Sequence, residues 1–280
     1  MNLILQGLNP APNTLNRIAA LTHAASITPI NADAVRCEGF SYTSELRAQI
    51  EAEAYAAQLD ATFIEAGRAL SDFKLVAMDM DSTLITIECI DEIADMQGLK
   101  PQVAEITEAA MRGEIEFRES LIRRVALLKG LEASALKRVY DERLQLSLGA
   151  QKMLSAIQAA GLKTLLVSGG FTFFTDRMKT RLGLDYTHSN VLEIENGKLT
   201  GKVIGGIVDA DEKQRTVERV CIEMGIEPKQ AIVMGDGAND LKMMHVAGLS
   251  VAFRAKPVVR AQANVALNFV GLDGILNLFG

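Results

Sequence analysis

The sequence predicts an α/β fold: a doubly wound parallel sheet with an inserted helical cap, preceded by a small N-terminal α+β domain. Three observations predict it. Short, near-continuous apolar runs recur between stretches of helical spacing: LVAMD ending at Asp79, KTLLVS at Ser168, AIVMGD at Asp236 and LSVAF at Phe253. Such runs suit strands buried on both faces, and strands that alternate with helices imply parallel pairing through right-handed crossovers. The stretch between the first two runs, residues 87–146, is too long for one crossover and has helical spacing throughout. The first 70 residues have a different texture, with shorter and more polar candidate elements.

In order along the chain, residues 2–8 read as a strand and residues 13–25 as a helix, with Asn13 or Thr14 as its cap. Residues 26–30 and 34–37 read as short strands, 44–58 as a polar-faced helix and 61–64 as a last strand. The order βαββαβ makes a compact α+β unit over residues 1–70. Residues 71–280 then form the larger domain, with its helical cap over about 86–150. Within that cap, residues 88–96, 101–112, 117–128 and 133–140 carry helical spacing. Further on, Asn196-Gly197 lies between the β-like runs NVLEIE and KLTGKV, a strong hairpin signal.

Composition excludes several classes. With 29 basic and 35 acidic residues the net charge is −6, and no basic block interrupts it, so neither nucleic acid nor an anionic membrane is an expected partner. The three cysteines are far apart and form no C-x-x-C, which points to a reducing cytoplasm rather than a disulfide framework or zinc site. No apolar run reaches the ~18 residues of a membrane span, and the N-terminus lacks the basic start and long apolar stretch of a signal peptide.

In a doubly wound sheet, ligands bind outside the carboxyl ends of the strands. The polar residues that end the apolar runs should therefore share one crevice: Asp79 and Asp81, Ser168 with Gly169 and Gly170, then Asp236 and Asp240. Residues i and i+2 leaving a strand point the same way, so Asp79 and Asp81 would sit together. Two close carboxylates do not both ionise cheaply unless a cation lies nearby or one keeps a proton. With Asp236 as a third acid, Asp79, Asp81 and Asp236 suit a hard cation such as Mg²⁺, which commonly shares its shell with a substrate phosphate. VSGGF offers a hydroxyl and backbone N–H groups at a helix start, a seat for that phosphate. Lys213, in DADEKQRT, can neutralise charge beside it. One carboxylate can then attack phosphorus in line, and the other can protonate the leaving alcohol and later activate water.

DMDST (79–83), VSGGF (167–171), Lys213 and GDGANDL (235–241) together resemble, in order, the four motifs of the haloacid dehalogenase superfamily. ECIDEIA (88–94), AMRGEIEF (110–117), SLIRRV (120–125) and SGGFTFF (168–174) narrow the resemblance to its phosphoserine phosphatases, over roughly residues 73–270. The resemblance implies the Rossmann-like core of that superfamily and hydrolysis of O-phospho-L-serine through an aspartyl phosphate, the last step of serine biosynthesis. It implies that Asp79 is nucleophile and metal ligand and Asp81 the acid/base. Asp236 and the Met80 carbonyl would bind Mg²⁺, with Asp240 supporting that shell. Ser168, Gly169, Lys213 and Asn239 would hold phosphate. Glu88 and Arg124 would grip the amine and carboxylate of serine, and Met111 and Phe117 would close the apolar side. The first 70 residues loosely resemble the regulatory regions of longer bacterial relatives, which are related to the amino-acid-binding ACT module. Whether this region binds an effector or supports a homodimer stays open.

Each residue also has an ordinary reading. A lone D-x-D is a solvated turn, Lys213 alone a surface charge, and Glu88 and Arg124 exposed helix charges worth little. Met111 and Phe117 could simply pack cap helices together. Only the ordered combination, with a strand before each acidic motif, lifts them above that. Two rival functions share the same residues: a phosphotransferase that passes the phosphoryl group to another alcohol, and a catalytically silent amino-acid sensor.

Overall fold

A computed structural model of the chain describes residues 1–112 and 114–279, apart from the side chains of Pro12 and Met111. The N-terminal part runs β1 (Asn2–Gly7), α1 (Pro12–Ala20), β2 (Ser26–Asn31), β3 (Ala34–Glu38), α2 (Ser44–Ala56) and β4 (Leu59–Ile64). These strands form an antiparallel sheet in the order β2-β3-β1-β4. Because side chains alternate along a strand, β1 serves two cores. Leu3 and Leu5 pack with Leu15 and Ile18 of α1 and Ile50 of α2, while Ile4 turns the other way into the main core with Phe73 and Ile275. Helix α1 is shorter than its sequence suggested, and its cap is Ala11 rather than Asn13 or Thr14. Pro12 explains the shift: at the first helical position its fixed φ is already helical and its missing N–H costs nothing.

The larger part begins with β5 (Leu75–Met78). Four helices follow, α3 (Cys89–Asp95), α4 (Lys100–Met111), α5 (Phe117–Leu127) and α6 (Ser134–Glu142). Then come α7 (Ala150–Ala159), β6 (Lys163–Phe171), α8 (Thr172–Leu182) and the hairpin of β7 (Tyr186–Glu195) and β8 (Lys198–Ile204). Asn196 and Gly197 turn that hairpin with φ of 50° and 78°, the positive values a tight two-residue turn requires. The chain ends with α9 (Ala210–Met224), β9 (Ala231–Gly235), α10 (Leu241–Val246), β10 (Leu249–Phe253), α11 (Pro257–Arg260), β11 (Val265–Leu267) and a 3₁₀ segment, Leu272–Leu278.

The main sheet has the order β11-β10-β9-β5-β6-β7-β8. All neighbours are parallel except the edge pair β7 and β8. The chain order therefore reverses between β5 and β9, the switch point at which doubly wound sheets bind ligands. Val76, Ala77 and Met78 of β5 are fully buried, as are Ile232, Val233 and Met234 of β9, which is why both strands read as unbroken apolar runs. Sequence reading did not separate β7 as a core strand or find β11. Polar residues such as Thr187, His188 and Ser189 interrupt β7, and β11 is only three residues long.

The two parts meet along a polar seam. Asp60 of β4, almost fully buried, accepts bonds from the N–H groups of Asn268 (2.8 Å), Phe269 (3.0 Å) and Val270 (3.1 Å) and from Asn268 Nδ2 (3.1 Å). Asn277 Nδ2 donates to Gln6 Oε1 at 2.7 Å.

Candidate active site

The site forms where β5 ends. Asp79 follows its last residue, and the chain then makes one wide turn, Met80–Leu84, closed by Ile85 N–H donating to the Met80 carbonyl at 3.0 Å. Asp79 Oδ1 accepts from Met80 N–H at 2.7 Å and pairs with Lys213 Nζ at 2.8 Å. Lys213 stands in the first turn of α9, whose cap Asp209 accepts from Glu212 N–H. Its ammonium is fully buried and also pairs with Asp240 Oδ1 at 2.8 Å. Burial alone would lower the lysine, but the Asp240 and Asp79 carboxylates outweigh it and hold the ammonium charged. A buried charge requires such partners.

Asp236 arrives from the end of β9. Carboxylate oxygens of Asp79, Asp236 and Asp240 lie within 4.8 Å of one another. Asp240 is placed by its own bonds from the N–H groups of Asp236 (3.2 Å) and Gly237 (3.0 Å). Gly235 allows this fit, since a Cβ there would stand 2.4 Å from Asp240 Oδ2. Burial first, then the Asp240 carboxylate, pushes Asp236 up to about 7, and the same two causes raise Asp79 well above the carboxylate range. Oxygen-only donors with excess negative charge fit a hard divalent cation.

Asp81 departs from its sequence reading. It is not in that group of three, although it was expected among the metal's carboxylates. Its Oδ1 turns instead to the N–H of Cys89, at 3.0 Å, at the start of α3. That bond ties one oxygen of Asp81 to the start of the first cap helix, while Oδ2 stays beside Gly170, where a Cβ would come within 2.7 Å of it. Burial, then the Glu88 carboxylate, pushes its pKa up to about 7, which suits a group that gives and takes protons near neutrality.

A cavity of about 600 Å³ opens over these groups. Asp79, Asp81, Gly169, Asp236 and Asn239 line its core side, and Glu88, Phe117 and Arg124 its cap side. Ser168 and Lys213 are fully buried beneath it. Ser168 Oγ accepts from Gly170 N–H at 2.8 Å. Phe117 lies over Gly169, where a Cβ would come within 3.1 Å of the ring. Arg124 bonds only weakly to the Ser120 carbonyl, at 3.4 Å, and faces the carboxylates of Asp91, Glu88 and Asp81. The side chain of Met111 lies outside the described residues. Sequence reading missed Ser82, Asp91 and Lys256, which also line the cavity. Ser82 stood inside the DMDST motif, but no spacing rule marks Lys256, which reaches the cavity from the loop after β10.

A sequence model of the haloacid dehalogenase-like hydrolases matches residues 73–248. A phosphoserine phosphatase of Polaromonas sp. is 60% identical over 214 residues, 75% of this chain and 91% of that protein. A haloacid dehalogenase family hydrolase from Salmonella enterica serovar Typhi superposes with a TM-score of 0.90 at 32% identity, covering 100% of this chain and 99% of that one. A phosphoserine phosphatase solved as an analogue of its phospho-aspartyl intermediate is 36% identical, with a TM-score of 0.70 over 74% of this chain and 99% of that one. On motif order, sheet topology and these likenesses, the chain belongs to the haloacid dehalogenase-like hydrolases and, within them, to the phosphoserine phosphatase family.

Proposed function

We propose that this protein hydrolyses O-phospho-L-serine to serine and phosphate, the last step of serine biosynthesis, with Asp79 as the transiently phosphorylated nucleophile. One observation carries the reading. A fully buried lysine clamps the Asp79 carboxylate beside two further acids, at the floor of a cavity whose opposite wall holds Glu88 and Arg124. The floor suits a phosphate and the wall suits an amino acid's two charges.

Asp79 and Asp236 would hold Mg²⁺, with Asp240 fixing the surrounding bonds; the Met80 carbonyl, expected as a further ligand, is taken up by the Ile85 N–H that closes the turn. When bound, the ion offsets negative charge on the phosphoryl oxygens. Lys213, Ser168, the Gly169 amide and Asn239 hold the phosphate against Asp79. Asp79 attacks phosphorus in line as Asp81, whose carboxyl is raised into the neutral range by burial, gives its proton to the departing serine oxygen. Asp81, now ionised, takes a proton from the water that cleaves the aspartyl phosphate. Glu88 receives the substrate ammonium and Arg124 its carboxylate, while Phe117 keeps the wall apolar and excludes water from the first transfer. The deeply buried, unpaired cysteines accord with a reducing cytoplasm, and none of the described helices is long and apolar enough to cross a membrane.

The test is phosphate release from O-phospho-L-serine with Mg²⁺ and with chelator, for the unaltered protein and for Asp79→Asn. Turnover should require the metal and fall by at least about 10³-fold in the variant, as loss of a covalent nucleophile commonly does. Undiminished release by Asp79→Asn, or by the chelated protein, would end the assignment. Adding homoserine as a competing acceptor should leave phosphate free in solution rather than on the alcohol.

A further inference from the structure

Ser82 stands in the wide turn after Asp79 with φ 55° and ψ 1°. That left-handed conformation is unfavourable for any residue with a Cβ and is glycine's province. The backbone is pinned there: Ser82 N–H donates to the Ile87 carbonyl at 3.2 Å, and Ile85 N–H closes the turn onto Met80. Nothing in the turn itself requires a hydroxyl. Strain held at a functional site asks what the side chain does. Ser82 Oγ donates to Glu88 Oε1 at 2.7 Å, a short bond to a charged acceptor.

Glu88 is the cap residue of α3, the first residue of the cap helices. Its surface is open to the cavity, yet protein surrounds it closely, and this loss of bulk water pushes its carboxyl up. The Ser82 hydroxyl is the first of the influences that lower it again. Glu88 also stands close enough to Asp81 to raise that carboxyl. A glutamate side chain turns about three torsions, and Glu88 is exposed to the cavity. The hydroxyl of Ser82 removes that freedom and ties the cap's acidic group to the turn that begins at the nucleophile.

We propose that Ser82 is a specificity-determining positioning residue, whose hydroxyl aims the Glu88 carboxylate at the ammonium of the substrate. The preferred substrates are then phosphate monoesters with a primary ammonium on the carbon next to the phosphorylated one. The inference rests on the reading of the site given above, and deepens it.

The test compares kcat/KM for O-phospho-L-serine with that for 3-phosphooxypropanoate, the same molecule without its amine. The ratio of the two measures preference for the ammonium. In Ser82→Gly, which relieves the backbone strain but lacks the hydroxyl, the ratio should fall about ten-fold, the factor one hydrogen bond to a charged group carries. The fall should appear chiefly in KM for the amine-bearing substrate. Ser82→Ala should behave alike, with kcat/KM for the amine-free substrate within about three-fold of the unaltered protein's in both variants. Glycine suits the local φ, so its variant decides the matter even if Ser82→Ala fails to fold. A ratio in Ser82→Gly within two-fold of the unaltered protein's overturns this inference alone. Failure of the unaltered protein to release phosphate from O-phospho-L-serine overturns both it and the functional reading.

Discussion

Replacing Asp60 by alanine removes the acceptor of four hydrogen bonds at the seam between the two sheets. Each N–H left buried without a partner costs roughly 1–3 kcal/mol. The four are not equal. Val270 is buried, so its N–H has no recourse to water, whereas Asn268 and Phe269 are half-buried and can be partly solvated. Against this, the variant no longer buries a carboxylate, a relief visible in the way burial raises the Asp60 pKa. The balance is a loss of about 3 kcal/mol, or a Tm lower by about 6–12 °C for a chain of this size. Asp60→Asn keeps an oxygen acceptor but turns an amide toward the other donors, and should lose about half as much. The chain has no tryptophan, so the assay is urea and thermal unfolding followed by circular dichroism, with residual phosphatase activity read in parallel. Stability of Asp60→Ala within about 0.5 kcal/mol of the unaltered protein would refute the reasoning, since surface changes away from such features stay in that range.

Two further outcomes follow from single contacts. Gly170→Ala would set a Cβ 2.7 Å from Asp81 Oδ2 and 3.0 Å from Ser168 Oγ, displacing both; kcat should fall about 100-fold with the circular dichroism spectrum unchanged, and a loss below three-fold would count against the tight fit. The Arg143 guanidinium holds Asp95 below the usual carboxylate range and, against the opposing effect of burial, helps do the same for Glu92. Groups with depressed folded pKa stabilise the protein above their unfolded values and lose that contribution as pH falls through the folded ones. Arg143→Ala should therefore lose less stability than the unaltered protein on acidification below about pH 4.5, and parallel stability curves in that window would refute the coupling.

Much of the chemistry was legible in the residues because motif and strand coincide. An apolar run buried on both faces announces a central strand, and an acid at its carboxyl end announces what it presents. That logic brought Asp79, Ser168 and Asp236 to one crevice, and the structure assembles them there with Lys213. It served less well where position depends on a partner distant in sequence. Asp81 follows Asp79 by two residues, and an extended strand would aim both alike. The chain instead leaves the strand for a wide turn, and one Asp81 oxygen is taken by the Cys89 amide at the start of the cap. β11 and the first half of β7 were too short or too polar to be read, since their place comes from pairing with longer neighbours.

By itself, the sequence determined the doubly wound core and the order of acidic motifs, because periodicity and strand-end chemistry are local. Only the tertiary structure decided which three carboxylates share a cluster, that Lys213 is buried among them, and that Ser82 holds Glu88. It likewise decided that Asp60 joins the two sheets. Those outcomes depend on distances between residues up to 210 positions apart, and burial makes each contact count by removing the water that would otherwise take its place.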